Sequence, residues 1–274
     1  MLTLVNKRMY SSPATSLVIS TYNWPEALEL VLKSALAQQV LPSEIIVADD
    51  GSGIRTQYVV EKYQRISPVP IHHIWHEDKG FRKTVILNAA IQKASGEYII
   101  QVDGDIILHP YFVRDHIRAA RPNQFIRGSR AMINEQRSKT ILNSKQIGFS
   151  SLSKGVYHRF NALYLPRFSG LIRTDPFDPA DVKGCNCSFW KADFVEVNGY
   201  NNHLSGWGHE DIELAARFIN CGIRKKHLKL AAVCFHIHHA LRSRSNEQDN
   251  KLHYRQVVEN GIRRCVDGLV LAEA

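Results

Sequence analysis

Glu97-Tyr98-Ile99-Ile100-Gln101-Val102-Asp103-Gly104-Asp105 is the stretch on which the reading of this fold turns. Its apolar residues are mainly β-branched or aromatic, as in a buried strand, and it stops abruptly in two carboxylates separated by a glycine. Before it, Lys79-Gly80-Phe81-Arg82-Lys83 leads into a helical pattern carried by Val85, Ile86, Leu87, Ala90, Ile91 and Ala94, which Ser95-Gly96 ends. Earlier still, Ser16–Ser20 reads as a strand, and Pro25 opens a helix, since a first-turn residue needs no N–H. Glu44–Ala48 is a second strand, ending in the turn cluster Asp49-Asp50-Gly51-Ser52-Gly53. A helix over Arg55–Arg65 and a strand over Ile71–Trp75 follow. Strands alternating with helices predict an α/β fold: a Rossmann-like, mostly parallel central sheet with helices on both faces. In such sheets ligands bind at the carboxyl ends of the strands. Thr21-Tyr22-Asn23, Asp49-Asp50 and Asp103-Gly104-Asp105 all fall there.

Downstream, a helix is expected from about Tyr111 to Ala120. Residues 134–180 are rich in Ser, Lys, Asn, Arg and Pro, read as variable or mobile, and take no assignment. Order resumes at Val182–Trp190, with a helix over Lys191–Val197 and a turn at Asn198-Gly199-Tyr200. Ser205-Gly206-Trp207-Gly208-His209-Glu210-Asp211 then precedes a helix over Asp211–Cys221, which Gly222 stops. A strand over Lys229–Phe235 runs into His236-Ile237-His238-His239, and a polar helix over Asn246–Arg264 follows. The expected organisation is one continuous catalytic domain. Residues 1–130 form a donor-binding half, 131–181 a connecting segment, and 182–274 an acceptor and metal half.

The 274 residues suffice for a full core, and 44% hydrophobic with 22% charged residues is ordinary for a globular protein. No apolar run approaches the roughly 20 residues of a membrane span. Met1–Pro13 lacks a signal-peptide core, so a cytoplasmic location is expected. Five cysteines with a single close pair, Cys185 and Cys187, argue against a disulfide framework and for buried thiols in a reducing compartment. The net charge of +9 suits an anionic donor or an anionic lipid surface. Apart from Arg224-Lys225-Lys226 and Arg242-Ser243-Arg244 the basic residues are scattered. No ladder of basic and aromatic residues appears, which argues against nucleic acid.

Asp103-Gly104-Asp105 offers hard oxygen ligands for Mg²⁺ or Mn²⁺, which bridge to substrate phosphates and neutralise a leaving diphosphate. The same triplet occurs in ordinary turns; its position after a buried strand is what gives it weight. The histidine tract offers a further ligand. In a continuing strand His236 and His238 share a face, whereas ligation by both His236 and His239 needs a bend. Asp211 is the candidate general base, at a helix start whose dipole favours the ionised carboxylate. Glu210 beside it can bind another acceptor hydroxyl, Trp207 can offer its ring face to a sugar, and Gly206 and Gly208 keep the loop flexible. The structural alternative is that Glu210 and Asp211 only cap the helix while Trp207 packs in the core.

These motifs together resemble nucleotide-sugar glycosyltransferases of family 2, with the GT-A fold. The matching residues are Ser20-Thr21-Tyr22-Asn23, Val47-Ala48-Asp49-Asp50-Gly51-Ser52, Gly80-Phe81-Arg82 with Asn88, Gly96-Glu97-Tyr98, and Asp103-Gly104-Asp105. The second half is similar to the C-terminal region shared by animal β-1,4-galactosyltransferases, polypeptide GalNAc-transferases and bacterial chondroitin-type polymerases. It carries their pattern as Trp207-Gly208-His209-Glu210-Asp211-Ile212-Glu213-Leu214, with His209 where both animal families have glycine.

The resemblance implies that Thr21, Tyr22 and Asp50 hold uracil, with Asn23 in the same nucleotide-binding cluster and Arg82 near the nucleotide. It implies that Asp103 faces the ribose and the metal, that Asp105 and His239 bind Mn²⁺ or Mg²⁺, and that His236 is a second metal histidine. Gly184 and Asn186 would line the donor sugar, with Trp207, Gly208 and Glu210 on the acceptor side. Retaining relatives carry Asn where this chain has Asp211, so the resemblance implies an inverting enzyme. The expectation is therefore transfer of a hexose or N-acetylhexosamine from a UDP-sugar to a saccharide or lipid-linked saccharide in bacterial surface polysaccharide synthesis. Peripheral contact with anionic membrane is part of that expectation. The alternatives are a nucleotidyltransferase on the same metal carboxylates, which has no need of Trp207 or Asp211, and a non-catalytic sugar-binding module, in which Asp211 is dispensable.

Overall fold

The computed structural model describes residues 12–172, 174–206, 208–240 and 246–269. The first eleven residues, Trp207 and Arg242-Ser243-Arg244 lie outside them. The chain opens with β1 (Thr15–Thr21), α1 (Pro25–Leu36), β2 (Glu44–Asp49), α2 (Ile54–Ile66), β3 (Ile71–Trp75), α3 (Lys83–Lys93) and β4 (Tyr98–Asp103). It continues through β5 (Ile106–Leu108), α4 (Phe112–Ala119), β6 (Gln124–Gly128), β7 (Ala131–Ile133), α5 (Glu135–Ser144) and β8 (Val156–Tyr157). Then come β9 (Asn186–Trp190), α6 (Lys191–Glu196), α7 (Glu210–Asn220), β10 (Arg224–Leu228), β11 (Cys234–His236) and α8 (Glu247–Glu259).

The large sheet has the order β10-β6-β9-β4-β1-β2-β3, in which β9 runs against both neighbours and the other pairings are parallel. All seven residues of β1 and all six of β2 are buried, because helices cover both faces of the sheet. Alternation divides them between two cores. Leu17, Ile19, Ile45, Val47 and Ile100 pack beneath α1 and α2. Val18, Ile46, Ala48 and Ile99 pack against α3, α6 and α7. A second sheet, β5-β11-β7-β8, closes a third core with Leu30 of α1 and Ile141 of α5.

Two features position the site. First, Gly104 turns the chain directly against β1, its N–H donating to the Ser20 carbonyl at 2.6 Å. A Cβ there would lie 2.8 Å from that carbonyl oxygen, so a side chain between the two carboxylates would push β4 off β1. Second, β5 and β11 pair antiparallel with Ile106 opposite His236, which brings the histidine tract alongside Asp105.

The sequence differs from the structure between residues 229 and 235. Instead of one strand over Lys229–Phe235, β10 ends at Leu228 and β11 starts at Cys234. Between them the chain crosses from the large sheet to the small one, with Leu230 and Ala232 at positive φ. The unassigned segment 134–180 carries α5, β8 and two single-turn helices, at Arg159–Ala162 and Pro166–Phe168.

Candidate active site

The loops after β1, β2, β3 and β4 meet at the carboxyl edge of the sheet. Asp50 N–H donates to the Thr21 carbonyl at 3.0 Å. Asn23, at φ 48°, accepts from Gly53 N–H through Oδ1 and donates its own N–H to Ser52 Oγ. Tyr22 reaches across to Asp78, its hydroxyl 2.8 Å from Oδ2. Asp50 faces His76 Nε2 at 2.7 Å and accepts from the Arg82 N–H at 3.0 Å. Burial raises the pKa of Asp50 above the usual carboxylate value, against these hydrogen bonds. The sequence-expected nucleotide residues thus form one connected edge, and the loop after β3, which the sequence reading entered only through Arg82, also supplies His76 and Asp78.

Asp103 and Asp105 take different surroundings. Asp103 accepts from Ser20 Oγ at 2.9 Å and pairs with Lys83 Nζ at 2.9 Å. Burial raises its pKa, but the Lys83 charge and hydrogen bond outweigh burial and hold the carboxyl below its ordinary value. Asp105 faces two imidazoles instead, His236 Nε2 at 3.5 Å and His239 Nε2 at 3.3 Å. The chain bends after β11, so His236 and His239 converge, while His238 turns away and its backbone N–H donates to Ser138 Oγ. The ligand atoms of Asp105, His236 and His239 all lie within 4.8 Å of one another.

Asp105 Oδ1 and His236 Nδ1 are buried without a hydrogen-bond partner among the described residues. Such atoms are costly unless something satisfies them. Burial and the Asp103 charge raise the pKa of Asp105, and burial lowers that of His236. His239 Nδ1 lies 2.7 Å from the Ala240 carbonyl, which fixes that nitrogen as a donor and leaves Nε2 free to ligate. This donor set fits a divalent cation. Asp103, expected to share it, has Oδ1 held by Ser20 and Lys83 and lies outside this trio.

The residues expected on the acceptor side are carried by α7 and the loop before it. Asn246 and Asn250 of the α8 region hold the preceding loop, Asn246 through Ser205 Oγ at 3.0 Å and Asn250 through the Gly208 carbonyl at 3.0 Å. His209 sits at φ 72°, a conformation glycine takes without strain. Glu213 and Arg217 form a fully buried two-pronged pair that anchors the helix to the Val197 carbonyl. Glu210 and Asp211 therefore enter the site from a rigid element. Trp207 lies outside the described residues.

Asp211 is backed by an apolar pocket that includes Phe125, Val182, Phe189, Leu214 and Phe218. Burial, then the like charge of Glu210, push its pKa up to about 7. Dipole stabilisation at the helix start, expected to keep Asp211 ionised, is outweighed by this desolvation. Its Oδ1 is buried with no hydrogen-bond partner among the described residues. Gly184 packs against that oxygen, and a Cβ on it would collide with the Asp211 carboxylate and lie 2.9 Å from Gln101 Nε2. Gln101 is held by the Tyr200 hydroxyl at 3.0 Å, and Asn88 clamps Tyr200 through its backbone N–H and carbonyl, each at 2.8 Å. Asn186 is 1% exposed, its amide bonded to His116 and to the Ser129 and Ala232 carbonyls. It braces the strands around the site rather than presenting its side chain at the open edge.

Two cations went unnoticed in the sequence. Lys83 Nζ joins the halves, 2.9 Å from Asp103 and 3.5 Å from Glu210 Oε1. Burial lowers its pKa, but Asp103, Glu210 and Asp211 outweigh that and hold it well above the ordinary lysine value. Arg130 approaches the same region, Nη1 resting 3.2 Å from Cys185 Sγ. Lys83→Met leaves three carboxylates facing one another. The Asp211 carboxyl then titrates about one pH unit or more higher, as followed by NMR, because it loses the charge that favours its ionised form. Lys83→Arg restores part of the shift; an unchanged titration of Asp211 in the Met variant contradicts the role of this cation.

Residues 16–192 match the family model described as glycosyl transferase family 2, and residues 176–240 match one described as the N-terminal domain of galactosyltransferase. The validoxylamine A glucosyltransferase of Streptomyces hygroscopicus subsp. limoneus is 28% identical over 77% of this chain and 49% of its own length. The chondroitin synthase of Escherichia coli is 25% identical over 76% of this chain and 32% of its own. The chain spans about half the length of the validoxylamine A glucosyltransferases it matches. Among solved structures, the mannosyltransferase PcManGT from Pyrobaculum calidifontis, in complex with GDP-Man and Mn²⁺, superposes with a TM-score of 0.57. It is 19% identical and covers 83% of this chain and 58% of that one. S. aureus TarS gives a TM-score of 0.60 at 16% identity, over 89% of this chain and 39% of that one. At these identities both establish the shared fold.

Proposed function

The chain belongs to glycosyl transferase family 2, with the GT-A fold, and on that premise we propose that it moves a hexose or N-acetylhexosamine from a UDP-sugar to a saccharide hydroxyl, with inversion. The observation that carries this reading is the line Asp103–Lys83–Glu210, with Asp211 beside it. One ammonium ties the carboxylate at the donor edge to the carboxylates at the acceptor edge. A donor seated at the sheet edge and an acceptor seated on α7 would then meet at that junction.

Asp211 takes the proton of the acceptor hydroxyl. A base with a pKa near the working pH, held on a helix and backed by an apolar wall, suits that task. The hydroxyl oxygen attacks the anomeric carbon, the carbon–oxygen bond to the diphosphate breaks on the opposite face, and UDP departs with that electron pair. Glu210 binds a second acceptor hydroxyl. Asp105, His236 and His239 would hold a divalent metal, which when bound neutralises charge on the leaving diphosphate. Two imidazoles among three ligands favour Mn²⁺ over Mg²⁺, which prefers an all-oxygen shell.

The acceptor is a saccharide or lipid-linked saccharide of a bacterial surface polysaccharide, met on the cytoplasmic face of the membrane. Among the described residues no helix is long and apolar enough to cross a membrane. The reading is tested by calorimetric binding of a panel of UDP-sugars and GDP-mannose, with Mn²⁺ and with chelator. One UDP-sugar is expected to bind with Mn²⁺ and to be released by chelation. Binding of GDP-mannose in preference to every UDP-sugar would overturn the donor assignment.

A further inference from the structure

Residues 150–172 carry an unusual density of uncovered apolar side chains. Leu152 is 85% exposed, Phe160 54%, Leu165 46%, Phe168 53% and Leu171 76%. Single exposed leucines are ordinary on protein surfaces; five large apolar residues within twenty need a reason. The segment is not loose. Val156 pairs with Ile133 of β7, Asn161 Nδ2 donates to the Arg130 carbonyl at 2.9 Å, and Leu165 N–H donates to the Leu230 carbonyl at 2.8 Å. The Tyr164 hydroxyl donates to Asp115 at 3.2 Å. These bonds fix an inner side and leave an outer one. Phe168 N–H bonds the Leu165 carbonyl and Leu171 N–H bonds the Phe168 carbonyl. These backbone bonds hold Leu165, Phe168 and Leu171 on one short ordered stretch.

Within the segment itself every Lys, Arg, Asp or Glu is a cation. No Asp or Glu occurs between Glu135 and Asp175. Lys139 and Lys145 pair with Glu135 and Glu29. Lys154, Arg159 and Arg167 are exposed and have no carboxylate partner among the described residues. The complement of such a surface is apolar inside and anionic at its face. A saccharide would use the rings but has nothing for three exposed leucines. An anionic bilayer uses both components, since aliphatic and aromatic tips enter the acyl boundary while cations take lipid phosphates.

We infer that residues 150–172 form an interfacial strap that seats the enzyme on an anionic bilayer, with Leu152, Phe160, Leu165, Phe168 and Leu171 inserted and Lys154, Arg159 and Arg167 on the phosphates. The inference locates the membrane contact of the proposed function, but it does not depend on which sugar is moved. The strap is tied to Arg130 and Leu230, which flank the strands leading to the site, so seating also places the site at the lipid surface.

The test is co-sedimentation of the full chain with phosphatidylcholine vesicles, with and without phosphatidylglycerol, in the absence of any nucleotide sugar. Binding is expected only to vesicles containing phosphatidylglycerol and is expected to weaken with salt. Lys154→Gln with Arg167→Gln lowers affinity about 25-fold, at ~5-fold per cation near an anionic surface. Phe168→Ser with Leu171→Ser abolishes sedimentation, while UDP-sugar binding stays at the wild-type level and so reports a folded donor site. Wild-type sedimentation by the serine variant overturns the inference, as does equal binding to neutral vesicles or none to either. Concentration-dependent dimers lost in the serine variant, without vesicle binding, would assign the strap to a second copy of the chain instead. Failure of vesicle binding alongside intact UDP-sugar binding removes the strap and leaves the proposed function standing; loss of sugar binding alone does the reverse.

Discussion

Asp211→Asn lowers the rate of sugar transfer by about 10²–10⁴-fold while leaving UDP-sugar binding within a few-fold of wild type. Asn keeps the shape of the side chain and its contact with Gly184 but cannot take a proton. Wild-type kcat is expected to fall about tenfold per pH unit below pH about 7 and to level off above it, because the proposed base acts in its ionised form. In the Asn variant that limb disappears from the residual rate.

The same substitution has an opposite effect on stability. The folded pKa of Asp211 lies far above its unfolded value, so folded protein holds the proton more tightly. The resulting stabilisation is full below pH about 4 and is lost as pH rises toward about 7. Above that, ionised Asp211 is a cost that Asn does not carry. Asp211→Asn therefore raises the melting temperature at pH 8, by about 2–4 °C for each kcal/mol relieved, and the gain shrinks as pH falls toward 4. Thermal melts at both ends of that range check the sign. An inactive variant that melts lower at pH 8 would mean that Asn disturbs the helix start and would void the kinetic comparison.

Disrupting the proposed metal-binding trio has the second large effect. Asp105→Asn with His239→Ala, or chelation of the wild type, is expected to lower transfer on the order of 10³-fold, since charge stabilisation by a bound metal is worth several kcal/mol. Mn²⁺ binding followed by electron paramagnetic resonance gives a readout independent of turnover: the wild type binds and the double variant does not. His238→Ala is the matched control, because His238 faces Ser138 through its backbone and stands outside the cluster. Loss of Mn²⁺ binding in the His238 variant equal to that in the double variant would refute the cluster as drawn.

The parallel half of the fold is readable in the sequence because β1, β2 and β4 are continuous apolar runs ending in polar turns, and α1 and α3 begin at proline and after a glycine turn. The small sheet is not. β5 and β7 have three residues each and become strands only through β11, more than a hundred residues later. Leu230-Ala231-Ala232-Val233 misleads in the other direction, being apolar enough for a strand but used as a buried crossing between sheets.

The site divides in the same way. The carboxylates stand out because their spacing is local. Lys83 does not, because a lysine at a helix start reads as solvent-facing until three carboxylates from two distant segments are placed around it. Nor does the elevated pKa of Asp211, which comes from Phe125, Phe189 and Phe218 behind it, on strands and a helix that only the tertiary fold brings together. The bend that lets His236 and His239 face Asp105 depends on β11 ending at His236, which tract spacing leaves open.

The central claim is that Asp211 deprotonates an acceptor hydroxyl for direct attack on the anomeric carbon. Proton NMR of the product formed from an α-linked UDP-sugar in the presence of Mn²⁺ tests it most directly. A β-linked product, formed by the wild type and lost in Asp211→Asn, is the predicted result. An α-linked product, or β-linked product formed by Asp211→Asn at the wild-type rate, would contradict it.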